Sequence, residues 1–309
     1  MGQLMKNTWR ICPFLLPAFF LLCPVLHAAP VSASAKPLIV ATTIFPLADI
    51  VRNITGKTAR VIQILPAGAS PHTFDLTPGK IGELQKAGIV FKIGIIDDWI
   101  DSIAESAPNV PIVSLQTFIP RKRYAADAHD HGHSGPMQAQ DFDPHYWLDA
   151  RNGAIMAQQV CSRLSALAPQ HAAVFMQNSQ RYQIELLRLD RELKKACSAL
   201  KNRKLIVFHD GWNYFAAACG LEIIAVFQPA PGRDPAPRDL QKLYALAKTH
   251  GIKAVFSEPQ LPTASLEPLL EDLGLRVFDL DPLGGASPGD SYIGLLRRNV
   301  QSIIQADVL

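Results

Sequence analysis

The sequence predicts an α/β protein of two small lobes, each with a parallel sheet of roughly four strands, joined by one long rigid helix with a ligand cleft between the lobes. Three observations carry this expectation. Short apolar, β-branched runs alternate with helical segments in the first half of the chain, and the same alternation returns in the second half. Between them, residues 150–200 read as helix with a single break at Pro169. Strands spaced by helices form parallel βαβ units with right-handed crossovers, and unbroken apolar runs suit strands covered on both faces.

In the first lobe the strand-like runs are Leu38–Thr43, Arg60–Leu65, Ile89–Ile93 and Val110–Leu115, and the helical ones Pro46–Ile54, Pro78–Ala87 and Asp97–Glu105. Arg151–Leu167 is one helical pattern. Gln170–Leu200 is another, with Ile184, Leu186, Leu187, Leu189, Leu193 and Leu200 forming an apolar stripe among Arg, Glu and Lys. About 30 residues of helix reach roughly 45 Å, the height of a domain, so this segment reads as a strut. The second lobe alternates strands (Lys204–Phe208, Leu221–Phe227, Lys253–Ser257, Leu275–Leu280) with helices (Trp212–Cys219, Arg238–His250, Ala264–Leu273, Asp290–Gln305). The expected domains are residues 36–168, the linking helix 169–200, and residues 201–309.

Residues 1–35 are read as a cleaved signal peptide directing the chain to the periplasm. Lys6 and Arg10 give a positive start, Ile11–Leu26 an apolar run broken by Pro13, Pro17 and Pro24, and Ala33-Ser34-Ala35 a small-residue cleavage pattern. Without them the chain carries 28 basic and 27 acidic residues, so nothing calls for nucleic acid or anionic lipid as partner. Three cysteines remain, Cys161, Cys197 and Cys219, too scattered for a thiolate cluster and read as buried apolar side chains; whether Cys197 and Cys219 pair stays open.

Two connections are unusual. The stretch from Thr117 to Asp143 exceeds an ordinary loop and contains His129, His131 and His133, a candidate for accessory metal capture. Gln228–Pro237 is proline-rich and stiff, and suits a rim that fixes the start of the next helix.

Ligands of open α/β sheets bind beyond the carboxyl ends of the strands. His209 and Asp281 directly follow apolar runs, His72 lies a few residues past one, and His145 follows the long loop. Two come from each half, so a cleft between the lobes can gather all four around a metal ion. Each alone is also compatible with an ordinary hydrogen-bonded side chain, and Glu258 and Asp279 with helix capping. Trp99, Trp147 and Trp212 read as packing. No Gly-x-Ser-x-Gly sits directly at a strand end as a nucleophile elbow does, since Gly285-Ala-Ser-Pro-Gly289 lies several residues beyond one, and no Walker motif or Gly-x-Gly-x-x-Gly follows a strand, which removes the grounds for a serine hydrolase or a nucleotide site.

Six blocks in order then match one family: Thr43-Ile-Phe-Pro46, Pro71-His-Thr-Phe-Asp75, Asp143-Pro-His-Tyr-Trp-Leu-Asp149, Phe208-His-Asp-Gly-Trp-Asn-Tyr-Phe215, Ser257-Glu-Pro-Gln260 and Asp279-Leu-Asp-Pro-Leu-Gly284. Across residues 36–309 the chain resembles the zinc/manganese substrate-binding proteins of bacterial ABC transporters. The resemblance implies two lobes joined by a rigid helix, one metal in the cleft held by His72, His145, His209 and Asp281, and delivery to a membrane permease. Manganese-type members carry glutamate where His209 stands, so the chain resembles the zinc-type set. Some zinc-type members use an acid beside the first histidine; here that neighbour is Pro71, which leaves Asp281 as fourth ligand. The long acidic and histidine-rich loop of that set is reduced here to Ala128–Ser134.

Three imidazoles and a carboxylate close a tetrahedral shell and favour Zn²⁺ over Mn²⁺. The expectation is thus a monomeric binding protein and not an enzyme. The alternatives are a secreted zinc-dependent hydrolase with Asp281 as base and Glu258 as acid, and a surface metal-binding adhesin.

Overall fold

In the structure, a computed structural model, Gly2 and residues 37–124, 142–228, 237–261 and 267–309 are described. The expected signal peptide, the His129–His133 loop and most of the Gln228–Pro237 rim lie outside them.

The first sheet holds β1 (Leu38–Thr42), β2 (Ala59–Gln63), β3 (Ile89–Lys92) and β4 (Ile112–Ser114), all parallel, in the order β2-β1-β3-β4. The second holds β5 (Lys204–His209), β6 (Glu222–Gln228), β7 (Ala254–Ser257) and β8 (Arg276–Asp279), again parallel, in the order β6-β5-β7-β8. The two lobes thus share one topology, and each order reverses direction at one point, between β1 and β3 and between β5 and β7. Crevices that receive ligands open at such points.

Helices α1 (Phe45–Thr55), α2 (Pro78–Leu84) and α3 (Ile103–Ser106) belong to the first lobe, and α6 (Asn213–Cys219), α7 (Pro237–Thr249), α8 (Glu267–Asp272) and α9 (Tyr292–Asp307) to the second. Pro46 sits in the first turn of α1, where its missing N–H is harmless. The segment expected as helix over 97–105 is mostly 3₁₀, Ile95–Ser102, with α3 only at its end. The reason is Asp97, whose backbone leaves helical geometry and whose carboxylate is otherwise engaged. Its Oδ1 accepts from the Gly94 N–H at 2.8 Å, and its Oδ2 from Ile93 N–H at 2.7 Å and Thr43 Oγ1 at 2.5 Å.

Between the sheets run α4 (Ala150–Leu167) and α5 (Ala172–Ser198). The 27 residues of α5 span about 40 Å. Its buried face is Phe175, Ser179, Tyr182, Leu186, Leu189, Leu193 and Cys197, at the three-and-four spacing of one helical stripe. Ile184 and Leu187, expected on that stripe, are 59% and 42% exposed, because each sits about a quarter-turn or more off it. One apolar cluster runs from the first sheet through α4 and α5 into the second, and smaller clusters cover the outer faces of the two sheets. Cys161, Cys197 and Cys219 are buried, as expected, and all three are free, so Cys197 and Cys219 do not pair.

Polar ties cross the same layer. Asp49 of α1 accepts at Oδ2 from Tyr182 Oη of α5 at 3.1 Å and from the Tyr292 N–H that begins α9 at 3.0 Å. Tyr292 Oη donates to the Trp147 carbonyl, and Trp147 Nε1 to the Pro282 carbonyl at 2.7 Å. Satisfied buried networks of this kind rigidify what they join. They hold the strand ends of the two lobes in register.

Candidate metal centre

His145 is set by the residue two before it. Oδ1 of the buried Asp143 accepts both the backbone N–H of His145 and its Nδ1–H, each at 2.8 Å. An ionised carboxylate can only accept, so the imidazole proton sits on Nδ1 and the Nε2 lone pair is free for a ligand. Oδ2 of Asp143 takes the N–H and Nδ2 of Asn213, both at 3.2 Å, which ties this first-lobe motif to the start of α6.

His209 is the last residue of β5, and Glu258 follows β7 across the switch point of the second sheet. Nδ1 of His209 donates to Glu258 Oε1 at 2.9 Å, and Trp212 Nε1 donates to the same oxygen at 3.0 Å. Burial disfavours the charged ring of His209, but the carboxylates of Glu258, Asp143 and Asp210 together outweigh it, so the pKa is raised. Both rings therefore have one nitrogen anchored by a buried carboxylate, the arrangement that orients histidine ligands and raises their basicity.

His72 comes from the irregular connection between β2 and α2. Its Nε2 lies 3.2 Å from Nε2 of His145. Four ligands at zinc's bond lengths of 2.0–2.1 Å stand about 3.3 Å apart at tetrahedral corners. The ring centroid of His72 is 5.3 Å from that of His145 and 5.0 Å from that of His209, and those two are 4.8 Å apart. The ligating atoms of all three lie within 4.8 Å of one another. His72 is an exposed residue, yet its ring is wedged against the other two; burial there, and then repulsion from His145 and His209, hold its pKa far below the usual histidine range. Three imidazoles with converging ring nitrogens are what a divalent transition ion needs.

The close approach depends on Gly211. A Cβ there would stand 2.9 Å from Nδ1 and Cε1 of His145 and 2.9 Å from Cε1 of His209.

Asp281 itself does not line the cavity beside the histidines, although its neighbours Pro282 and Leu283 do. Oδ1 accepts three hydrogen bonds, from Gln260 Nε2 at 3.2 Å and from the N–H groups of Leu283 and Gly284 at 2.9 and 3.0 Å. Asn299 holds its backbone on both sides, accepting from its N–H at 2.9 Å and donating to its carbonyl at 2.7 Å. The structure brings the three histidines together and leaves Asp281 outside that cluster, its Oδ1 taken by three donors.

The cavity at the histidines is about 10 Å³, lined by Ser70, Pro71, His72, His145, Glu258 and Gln260 among others. That is room for roughly one water-sized occupant. A cavity of about 350 Å³ opens at the opposite end of the second lobe, near Lys204 and Lys253, but gathers no such donors, so size does not locate the site.

Asp143 and Glu258 are the residues whose roles sequence reasoning missed. The acid two places before His145 was a usable signal; Glu258 looked like a helix cap or a catalytic acid, and its pairing with His209 needs the sheet order. The tryptophans do more than pack, since Trp147 and Trp212 each donate an indole N–H beside the site. Among the described residues, no helix is long and apolar enough to cross a membrane.

Known zinc-uptake proteins resemble the chain over most of its length. The family described as zinc-uptake complex component A, periplasmic (ZnuA), matches residues 40–306. The high-affinity zinc uptake system protein ZnuA of Brucella abortus is 26% identical over 300 residues, covering 85% of this chain and 90% of that protein. The zinc-binding lipoprotein AdcA of Streptococcus pneumoniae is 23% identical over 277 residues, and the chain spans about half of AdcA's length, 55%. A crystal structure of ZnuA superposes with a TM-score of 0.77 at 26% identity, covering 88% of this chain and all of that one. A zinc-bound deletion mutant of ZnuA gives 0.76 at 26% identity, covering 88% and 98%. With its two equivalent sheets, its strut and its three converging imidazoles, the chain belongs to the periplasmic ZnuA family, zinc-type substrate-binding proteins of metal ABC transporters.

Proposed function

We propose that the chain captures a divalent transition metal, zinc before manganese, outside the cytoplasmic membrane and delivers it to an ABC permease. The observation that carries this reading is the convergence of three histidines, two of them held by buried carboxylates, with their ligating atoms all within 4.8 Å of one another. Zinc is the cargo here, so the site must close around it fully and still let it go. His72, His145 and His209 supply three ligands and Oδ2 of Asp281 the fourth; a complete protein shell leaves no open position for a reacting water. Glu258 is occupied with His209 and Trp212 and the cavity has no room for an ester substrate, which speaks against the hydrolase reading. Export through a cleaved residue 1–35 signal, the domain limits 36–168, 169–200 and 201–309, accessory capture by His129, His131 and His133, and action as a monomer belong to the same proposal.

The test is a zinc titration of purified chain against a competing chelator. One tight equivalent is expected, reduced at least a hundredfold in affinity by His145→Ala. Zinc affinity unchanged by that substitution would overturn the reading.

A further inference from the structure

Two of the three histidines are oriented by carboxylates; among the described residues none orients His72. What holds His72 is its backbone. Residues 66–77 form no helix or strand, and the His72 N–H reaches only the Ser70 hydroxyl, at 3.3 Å. One side chain from outside the loop grips it on both sides of the histidine. Trp99 Nε1 donates to the carbonyl of Pro71, the residue just before His72, at 3.0 Å. The same indole meets the Phe74 ring edge-on, with centroids 4.8 Å apart at 67°.

Trp99 is itself fixed from below. It lies in the 3₁₀ segment Ile95–Ser102, whose entry is pinned by Asp97. Lys92, at the end of β3, has a side chain only 8% exposed, and its Nζ sits 2.6 Å from Asp98 Oδ1 and 2.6 Å from Asp101 Oδ2. The two carboxylates bracket Trp99 in sequence, so the buried ammonium clamps the segment on both sides of the indole. The lysine stem is covered while both carboxylates reach solvent, so the pairs serve more to fix the segment than to stabilise the fold. Here Lys92 joins sheet, 3₁₀ segment, indole and ligand loop in one line.

We propose that Trp99 is the positioning residue for His72, and that the Lys92–Trp99 tether governs how fast the bound metal leaves. The inference rests on the reading of His72, His145 and His209 as the metal site. His145 and His209 stay in place in either lobe's core; His72, on an irregular loop, is the ligand that one released hydrogen bond can move.

The test is a double-mutant cycle of Trp99→Phe with His72→Ala, read by zinc dissociation into excess chelator in stopped flow and by competition affinity. Phenylalanine keeps the contact with Phe74 and removes only the N–H donor. Losing one hydrogen bond of ordinary strength predicts zinc dissociation about three- to tenfold faster, with the association rate changed less than twofold. In the His72→Ala background Trp99→Phe should change dissociation by less than about twofold, whereas beside His145→Ala it should keep its full effect. Phe74→Leu loosens the loop from the other side without touching Trp99, and should reproduce the faster dissociation if Trp99→Phe folds poorly. Equal effects of Trp99→Phe with and without His72, or none in the otherwise unaltered chain, would overturn the tether. A His72→Ala chain that binds zinc as tightly as the parent would instead overturn the metal-site reading, and the proposal with it.

Discussion

Replacing Glu258 by glutamine isolates what the carboxylate behind His209 contributes. The side chain is buried, 7% exposed, and its Oε1 accepts from His209 Nδ1 at 2.9 Å and from Trp212 Nε1 at 3.0 Å. Glutamine keeps the volume and one accepting oxygen, so the change is loss of charge rather than a cavity. Hydrogen bonds to a charged group stabilise by about 1.5–3 kcal/mol against about 1 kcal/mol for neutral ones. The difference falls on the metal-loaded state, because zinc on Nε2 makes the Nδ1–H more acidic and the hydrogen bond stronger. About 1–2 kcal/mol is roughly five- to thirtyfold in zinc affinity, overlapping the 10–100-fold typical for such supporting partners. Chelator competition at pH 7.5, with the unfolding midpoint of metal-free protein as control, measures it. An affinity within twofold of the parent would refute the supporting role. A loss as large as that from His209→Ala would mean that Glu258 binds the metal directly.

Gly211→Ala should place a methyl group 2.9 Å from both imidazole rings and destabilise the site by the roughly 1–3 kcal/mol of an overpacked core, seen as weakened zinc binding with unchanged circular dichroism. Zinc at about a hundred times its dissociation constant should stabilise the fold by about 2.7 kcal/mol and raise the melting temperature by several degrees; equal melting with and without zinc would contradict a specific site. Burial pushes the Asp97 carboxyl up to about 6 despite its hydrogen bonds from Thr43, Gly94 and Ile93, so the folded chain keeps a proton that the unfolded chain releases near pH 4. That contribution is present at low pH and lost as pH rises through 6, at most about 3 kcal/mol. Metal-free denaturant unfolding between pH 4 and 7 should therefore show the parent chain losing stability relative to Asp97→Asn, and the opposite trend would refute it. Zinc affinity itself should fall as pH drops through the raised range of His209, from above about 6.5, where protons compete for that imidazole, while His72 adds nothing there, and a flat profile from pH 5 to 8 would exclude ligation by His209.

Most of the architecture is legible in the sequence because the inner strands of each sheet are short and covered on both faces, which leaves unbroken apolar runs such as Leu205–Phe208. The three histidines are legible for a related reason: strand ends are visible, and ligands gather there. What stays hidden depends on lateral order. Glu258 meets His209 only because β7 lies beside β5, and a carboxylate after a strand otherwise reads as a cap. Asp281 follows its strand as expected, but the three donors on its Oδ1 come from a turn whose geometry the residue types do not reveal. The stripe of α5 blurs because Ile184 and Leu187 are apolar yet exposed, and apolarity alone cannot separate adjacent positions on a helix. Asp97 turns a helical pattern into 3₁₀ by taking hydrogen bonds from the end of β3. The Trp99 grip on Pro71 joins residues 28 apart through an indole N–H, a contact that packing arguments from sequence do not reach.

The central claim is that His72, His145 and His209 bind one metal ion together. Zinc-edge X-ray absorption on protein loaded with one equivalent tests it most directly. The account predicts four light ligands at about 2.0–2.1 Å, three with the outer-shell scattering of imidazole. A sulfur shell near about 2.3 Å, or a first shell with no more than one imidazole, would contradict it.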